Sequence, residues 1–412
     1  MVGERSDRPF DVVVAGASGY VGGLVAAELA AASQDGLRVA LAGRRPDRLA
    51  AVAEATPGAT GWARLRFDAL DPRSCRAVAE QARVVVTTVG PYQRLGFPLA
   101  EACAASGTDY CDLTGEVLFV RRCVDELHER AVKQGCRLVH ACGYDSVPSD
   151  LAVLLAASAA QDEGTGALAE AILVARARGG LSGGTIDSYR AQLEALAADP
   201  GGWAVVLDPY ALSPSRALEP DLGDQPDRWP PRWSDLAGGW VAPFVMAPFN
   251  TRIVRRSNAL LGHAWGRALR YQEATGGRPG ATGLVEAGGL AAAQGLALRA
   301  FEQPRIRRLL DRLLPAPGQG PSAAARRAGW FRSVLHARTV TGARYESVVA
   351  GTGDPGYAAT AVMLSEAALA LAEDRDRLPE AAGVLTPATA LGWALVERLR
   401  RRGMTLAVTR RR

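Results

Sequence analysis

The stretch FDVVVAGASGYVGGLVAAEL, residues 10–29, decides the fold of this chain. A valine-rich run ends at Ala15, glycines spaced as GxxGxxG follow, and apolar residues then recur at helical spacing; this order indicates a strand, a tight turn and a helix. Gly16 allows the turn, Gly19 lets the backbone approach a pyrophosphate, and Gly22 allows the helix to pack closely on the strand. Amide groups at the start of the helix attract an anion. The pattern predicts a dinucleotide site rather than a simple turn, formed by Gly16, Ala17, Ser18, Gly19, Tyr20 and Val21.

The end of the second predicted strand, residues 38–42, distinguishes the two nicotinamide cofactors. An NAD enzyme usually places Asp or Glu there to bind the 2′-hydroxyl of the ribose. This sequence has Gly43-Arg44-Arg45 instead, and two guanidinium groups suit the 2′-phosphate of NADP(H). We therefore predict NADP(H) as the cofactor. The alternative interpretation is that both arginines are solvated surface charges.

The ends of the third and fourth predicted strands complete the cofactor site. Asp68 ends the third strand, where a carboxylate can reach the adenine amino group. The β-branched run 84–89 is the fourth strand, and the cofactor must pass the crevice at its end. The residues predicted there are Thr88, Val89, Gly90 and Pro91.

Short apolar strands alternate with amphipathic helices through the first 150 residues, which is typical of βαβ units. The fold class is therefore α/β, with a Rossmann domain (a doubly wound parallel sheet) over residues 1–150. Two alternating segments joined by Thr341-Gly342 predict a hairpin within a mixed α/β substrate domain, residues 151–353. Within it, residues 200–248 are rich in Pro, Gly and Trp and read as an irregular insertion. Helices are predicted in residues 354–412, with a disordered tail from Arg410.

Composition excludes several classes of protein. The 412 residues are 48% hydrophobic and carry a net charge of +5, as in ordinary globular proteins. Basic residues are not interleaved with aromatics, which argues against nucleic-acid binding. The six cysteines form no CxxC pair, so we predict no metal site, and with a polar N-terminus they favour reduced thiols in a cytoplasmic protein. Lys133 is the only lysine, and its predicted place at a helix end favours a solvated charge.

Eight motifs in order give a resemblance to a known family. They are GASGYVGG (16–23), VVTTVGPY (85–92), GTDYCDLTGE (107–116), HACGYDSVPSD (140–150), GGLSGGT (179–185), APFNTRIVRRSNALL (247–261), GDPGY (353–357) and GVLTPATALGWAL (383–395). With these motifs the chain resembles the saccharopine dehydrogenase-like oxidoreductases. Within that family it is most similar to the trans-acting enoyl reductases of mycobacterial polyketide lipid biosynthesis.

The resemblance implies a Rossmann domain, an α/β substrate domain, and C-terminal helices that return to the first domain. It implies reduction of an enoyl double bond on an acyl thioester, in trans for a polyketide synthase or its acyl carrier protein. Saccharopine-forming enzymes instead use ionisable side chains that include lysine, and this chain departs from that pattern. An imine or carbonyl reductase is the second hypothesis. A third is a nucleotide-bound scaffold on a lipid or membrane surface, with the apolar stretch 284–298 as its contact; a homodimer is also left open.

Enoyl reduction needs a hydride for the β-carbon, a hydrogen-bond donor for the thioester oxygen and a proton for the α-carbon. Loops after the fourth, fifth and sixth strands should surround the nicotinamide. Tyr144 is predicted to be the acid, since a tyrosine stays protonated at neutral pH. Asp112 and Asp145 are predicted to orient it or to hold the nicotinamide ribose, although Asp145-Ser146 before a proline is also a good turn and cap sequence. Further candidates in these loops are Tyr92, Glu116 and Ser146.

Two later segments and one histidine are further candidates for a functional role. Residues 182–185 precede a predicted helix, and their amides can hold an oxyanion or simply form a capped loop. Arg252, Arg255 and Arg256 are a candidate surface for an acidic carrier protein, with a solvated helix face as the alternative. His140 is predicted to be a buried core residue at a strand end.

Overall fold

The structure is a computed structural model that describes residues 7–32, 36–179, 183–302 and 320–411. Within these ranges the chain forms two seven-stranded sheets. The strands are β1 (Phe10–Ala15), β2 (Val39–Gly43), β3 (Ala63–Arg66), β4 (Ala82–Thr87), β5 (Asp109–Asp112), β6 (Arg137–Val139), β7 (Leu168–Arg178), β8 (Arg232–Ser234), β9 (Gly239–Pro243), β10 (Arg270–Arg278), β11 (Trp330–Thr339), β12 (Arg344–Thr352), β13 (Gly383–Leu385) and β14 (Thr405–Arg411).

The helices of the described ranges lie between and around these strands. They are α1 (Tyr20–Ala32), α2 (Pro46–Ala55), α3 (Pro72–Gln81), α4 (Tyr92–Leu95), α5 (Phe97–Ser106), α6 (Val117–Lys133), α7 (Val147–Asp162), α8 (Gly183–Ala198), α9 (Gly202–Leu207), α10 (Ala247–Leu260), α11 (Gly280–Glu302), α12 (Ala323–Arg327), α13 (Thr360–Glu373), α14 (Pro387–Ala390) and α15 (Gly392–Arg401).

The first sheet is parallel throughout, in the order β13-β6-β5-β4-β1-β2-β3. Helices cover both of its faces, so its central strands are continuous apolar runs; Val12, Val13 and Val14 are fully buried. The strand order reverses between β1 and β4, and the carboxyl ends of the strands flank the crevice there. The predicted Rossmann fold is confirmed.

The second sheet is mixed, in the order β14-β12-β11-β7-β10-β9-β8. Only β7 and β10 pair in parallel among its described strands. The predicted hairpin is present as β11 and β12, with Gly342 at a φ of +90°. Helix α7 follows β6 and packs against β11 and β12, which buries Leu151, Val153 and Leu155 in one core shared with the first sheet. The α/β fold class is confirmed.

The C-terminal segment joins the two sheets. Helix α13 packs on α1 and β4, as expected for helices that return to the first domain. The same segment also adds a strand to each sheet, β13 beside β6 and β14 beside β12. The prediction of a disordered tail is therefore wrong for Arg410 and Arg411, because both pair with β12. The predicted domain limits at residues 150 and 353 stay predictions.

Two stretches, residues 200–248 and Pro355–Glu373, have a structure that their sequence does not suggest. Residues 200–248 contain α9, β8 and β9, and the two strands extend the second sheet; strands of three and five residues among prolines and tryptophans give no readable periodicity. The stretch Pro355–Glu373 is long and apolar enough to cross a membrane, but 83% of its most apolar part is buried inside the protein. Burial to that extent identifies a core helix.

Candidate cofactor and catalytic site

The glycine turn between β1 and α1 has the shape that its spacing predicts. Gly16 has a φ of +84°, and a Cβ there would lie 2.7 Å from the Val89 side chain. A Cβ on Gly22 would overlap the Gly16 carbonyl oxygen and lie 2.8 Å from the Ala17 Cα. Helix α1 therefore packs directly on the turn, and the first amides of the helix, which have no partner within it, face the crevice edge. This cradle fits a pyrophosphate.

The arginines after β2 lie beside that turn. Gly43 is close to it, since a Cβ on Gly43 would lie 3.3 Å from the Ser18 Oγ. The Arg44 and Arg45 side chains are exposed, and neither forms an ion pair with another described residue. Two uncompensated guanidinium groups at this edge suit the 2′-phosphate of NADP(H).

The other predicted cofactor residues lie along the same edge. The Thr88 amide donates to the Ala15 carbonyl at 3.1 Å, which joins the end of β4 to the start of the turn. Val89 and Pro91 are half-buried, and Gly90 is exposed. Asp68 is half-buried and accepts a hydrogen bond from the Leu70 amide at 3.0 Å, so one of its oxygens stabilises its own turn.

Asp112 is the last residue of β5 and is fully buried. Its Oδ2 accepts from the Tyr110 hydroxyl at 2.9 Å and lies 2.7 Å from the His140 Nδ1. Its Oδ1 accepts from the Thr114 and Ala141 amides at 3.1 and 3.0 Å. These contacts tie the loops after β5 and β6 together, so the geometry favours a structural role for Asp112 over the predicted one of orienting Tyr144 or holding the nicotinamide ribose. His140 is a buried core residue as predicted, although its Nε2 has no partner among the described residues.

Tyr92 and Glu116 also serve the fold. Tyr92 stacks on Phe119 with 5.6 Å between ring centroids, and its hydroxyl donates to the Thr87 carbonyl at 3.0 Å. Burial raises the pKa of Tyr92. The Glu116 carboxylate accepts from the Tyr92 and Gln93 amides at 2.9 and 2.6 Å and so caps α4.

Tyr144 and Asp145 lie in the loop between β6 and α7, at the carboxyl edge of the first sheet. The Tyr144 ring is buried against the second sheet, where it meets the Phe331 ring edge-on with 5.2 Å between centroids. Burial and the nearby Asp145 and Glu273 carboxylates raise the pKa of Tyr144, so it remains a hydrogen-bond donor. Asp145 is half-buried, and burial raises the pKa of its carboxyl to about 6.

The structure adds a buried carboxylate that the sequence did not single out. Glu273 on β10 accepts from the Tyr271 hydroxyl at 2.8 Å and from the Asn250 amide at 2.9 Å. Ser146 donates to the Asn250 Oδ1 at 3.1 Å, which links this network to the loop that carries Tyr144. Burial raises the pKa of Glu273 to about 7. Its only sequence signal is a glutamate on the same strand face as the buried Tyr271.

The predicted docking surface formed by three arginines of α10 is wrong. Arg252, Arg255 and Arg256 are 2%, 6% and 0% exposed. Arg256 donates to the carbonyls of Leu212 and Val384, at 2.5 and 2.6 Å, and burial lowers its pKa to about 9. These side chains reach carbonyl groups across α10 and the neighbouring segments, so they hold the fold together and do not face solvent.

The remaining candidates are easily placed. Lys133 is exposed at the end of α6, as predicted. Residues 180–182 lie outside the described residues, and α8 begins at Gly183. The apolar stretch 284–298 belongs to α11, where Leu284, Val285 and Leu296 are 44%, 75% and 70% exposed. No group of three or more His, Cys, Asp or Glu within the described ranges is placed to hold a metal ion.

Comparison with known proteins agrees with this geometry. Residues 12–139 match the family described as the saccharopine dehydrogenase NADP binding domain, and NADP(H) is accordingly the cofactor. A Mycobacterium tuberculosis protein provisionally named a trans-acting enoyl reductase is 50% identical over 415 residues, which cover 98% of both chains. A trans-acting enoyl reductase of Mycobacterium ulcerans is 45% identical over 416 residues, covering 98% of this chain and 99% of that one.

Two solved structures share the fold at low sequence identity. Saccharopine dehydrogenase (L-Glu forming) from Saccharomyces cerevisiae matches with a TM-score of 0.54 at 14% identity, covering 98% of this chain and 100% of that one. Homospermidine synthase from Legionella pneumophila, solved in complex with NAD, matches with a TM-score of 0.52 at 10% identity, covering 98% and 91%. These likenesses concern the fold alone.

Proposed function

We propose, because this chain belongs to the family of trans-acting enoyl reductases, that it reduces the carbon–carbon double bond of an enoyl thioester with NADPH. It is an NADP-dependent oxidoreductase. The observation that carries the finer proposal is the loop 140–146, which places Tyr144 and Asp145 at the carboxyl edge of the sheet that carries the glycine turn. Ligands of open α/β sheets bind at this edge.

The cofactor supplies the hydride, and the chain supplies its binding site. The turn between Gly16 and Gly22 holds the pyrophosphate. A side chain on Gly16 would clash with Val89, and one on Gly22 would push the start of α1 away from the turn, so both glycines keep the first amides of the helix in position for the phosphate. Arg44 and Arg45 hold the 2′-phosphate. Thr88 and Val89 line the passage from the turn toward the loop with Tyr144.

The two loop residues divide the remaining chemistry. A group with a pKa near 6 is a far better acid than a tyrosine whose pKa is raised above its usual value, so Asp145 supplies the proton for the α-carbon. Tyr144 stays neutral and donates a hydrogen bond to the thioester oxygen as negative charge builds there. This division differs from the sequence hypothesis, which made Tyr144 the acid.

The acyl chain reaches this site on a carrier. A trans-acting enzyme serves a separate polyketide synthase, so an acyl carrier protein or the synthase itself presents the thioester. We place this activity in the cytoplasm, which is consistent with six buried cysteines that are all free.

NADPH oxidation against matched thioesters tests the proposal. The panel contains an enoyl, a β-keto and an imine substrate of equal chain length, each offered on a carrier protein and on a small-molecule thiol. We expect turnover of the enoyl compound, faster on the carrier. Turnover of the imine or ketone without the enoyl compound would overturn it in favour of an imine or carbonyl reductase.

A further inference from the structure

Residues 320–329, at the approach to the second sheet, lie against the phosphate-binding turn of the first. The Tyr20 hydroxyl, at the first residue of α1, donates to the Pro321 carbonyl at 2.6 Å. The Arg326 guanidinium hydrogen-bonds to the same hydroxyl and lies 5.4 Å from the Tyr20 ring centroid. A Cβ on Gly320 would overlap the Tyr20 ring, so the backbone itself lies on this residue. We call residues 320–329 the strap.

The strap is held in place from its far end. The Gly353 amide donates to the Gly329 carbonyl, and the Asp354 amide donates to the Arg326 carbonyl, both at 2.9 Å. A Cβ on Gly329 would overlap the backbone of Asp354. Asp354 in turn begins the turn that leads into α13, which packs on α1. The position of Arg326 is therefore fixed by backbone contacts as well as by its own side chain.

The Arg326 guanidinium donates from Nη1 to the Tyr20 hydroxyl and to the Pro321 carbonyl, the latter at 2.9 Å, and both acceptors are neutral. No carboxylate of the described residues lies within 4 Å of its guanidinium, although it lowers the pKa of the nearby Asp354 against the effect of burial. Tyr20 and Val21 carry the first amides of α1, which are the amides that a helix start offers to a phosphate. A guanidinium without a carboxylate partner among the described residues is thus held on the side chain of Tyr20, the residue that begins this helix.

We propose that Arg326 is a further cofactor-binding residue, contributed by the second domain, and that Tyr20 positions it toward the pyrophosphate. Arginine suits this role, because its fork of donors matches phosphate oxygens. The strap then links the two domains through the bound dinucleotide. Arg44 and Arg45 bind the 2′-phosphate of the adenosine, which NADH lacks, whereas Arg326 binds the pyrophosphate, which NADPH and NADH share.

Dissociation constants of both dinucleotides test this assignment, measured by the fluorescence of the bound reduced cofactor. Arg326→Gln should raise the Kd of NADPH and of NADH by the same factor, roughly tenfold, which is typical of one lost charge-assisted hydrogen bond. Arg327→Gln, at the exposed neighbouring position, is the matched control and should leave both constants unchanged. Tyr20→Phe removes the orienting hydroxyl and should give a smaller loss that is not additive with Arg326→Gln.

Several outcomes would overturn the proposal. Equal constants for Arg326→Gln and Arg327→Gln would show that the contact is only structural. A loss confined to NADPH would assign Arg326 to the 2′-phosphate instead. The thermal midpoint of each cofactor-free variant reports whether it folds normally. Arg326→Lys keeps the positive charge. If Arg326→Lys binds the dinucleotides better than Arg326→Gln does, the charge contributes to binding, even where Arg326→Gln lowers the midpoint.

Discussion

The backbone amide of Tyr144 donates a hydrogen bond to the Thr360 hydroxyl at 3.0 Å, across 216 positions of sequence. The same hydroxyl donates to the Pro355 carbonyl at 2.8 Å. Gly143 also packs on Thr360, since a Cβ there would lie 3.1 Å from its methyl group. The loop that carries Tyr144 is therefore positioned by the first residue of α13, in the segment that returns from the second sheet to the first.

Replacing Thr360 by Val removes both hydrogen bonds of its hydroxyl and should lower kcat by about tenfold, because the Tyr144 amide then loses the acceptor that holds its loop in position. Thr360→Ser keeps the hydroxyl and should retain most activity. The Kd of NADPH should be the same in both variants. Equal kcat for Val and Ser would show that the contact does not position the loop.

The proposed roles of Tyr144 and Asp145 predict different pH profiles. Asp145 must be protonated to act as the acid, so kcat should fall as the pH rises above about 6. Asp145→Asn should lower kcat by about 10²–10⁴-fold and remove this limb. Tyr144→Phe should lower kcat by about 10²–10³-fold and keep it. If the limb persists in Asp145→Asn, another group is the acid.

Gly22 and Gly23 make a matched pair for the phosphate turn. A Cβ on Gly22 would lie 2.8 Å from the Ala17 Cα, whereas one on Gly23 would lie 3.9 Å from the nearest atom, the Ala17 carbonyl oxygen. Gly22→Ala should therefore displace the turn and abolish measurable NADPH binding. Gly23→Ala should keep binding and stabilise α1 by about 0.5–1 kcal/mol, as expected for alanine in a helix. Calorimetry measures both quantities, and equal affinities would argue against the cradle.

The arginines after β2 should set the choice of cofactor. The double change Arg44→Gln and Arg45→Gln should raise the Kd of NADPH by about 10–100-fold through lost charge-assisted hydrogen bonds. The Kd of NADH should change little, since NADH has no 2′-phosphate. Titration of both dinucleotides measures the ratio, and an equal loss for both would remove these residues from the 2′-phosphate site.

Asp150 should make stability depend on pH. It is fully buried, accepts from Ser257 and from the Ala388 amide, and burial raises its pKa to about 7 from the usual 3.8. The folded state therefore holds a proton that the unfolded state releases, so the stability from this group is present below pH 4 and is lost as the pH rises to about 7.

Asp150→Asn removes the titration and keeps the shape of the side chain; its Oδ1 can still accept from the Ala388 amide, and its Nδ2 can donate to the Ser257 hydroxyl, which then accepts. Its unfolding free energy relative to the natural protein should rise through that window, by at most about 1.4 kcal/mol for each pH unit. Urea unfolding at pH 5 and pH 8 measures the difference. Other buried carboxyls act equally in both proteins, so a constant difference between them would contradict the assignment.

Much of this protein follows from local sequence. The strand, turn and helix at residues 10–29 depend on side-chain periodicity and on glycines at fixed spacing, which act within a few residues of one another. For the same reason the sequence predicted the cofactor edge at Arg44 and Thr88, and the loop that carries Tyr144. The eight motifs together indicated the protein family, and the family indicated enoyl reduction.

Only the tertiary structure decided which of these side chains face the crevice. Asp112 reads as a catalytic carboxylate, yet it is fully buried and bonded to Tyr110 of its own strand and to Thr114, His140 and Ala141 in the loops after β5 and β6. Arg256 reads as a surface charge, yet it is fully buried against carbonyls far along the chain. Glu273 is linked to the Tyr144 loop from the second sheet through Asn250, and Arg326 contacts Tyr20 from the strap. Such placements depend on packing between distant segments, which periodicity and spacing do not record.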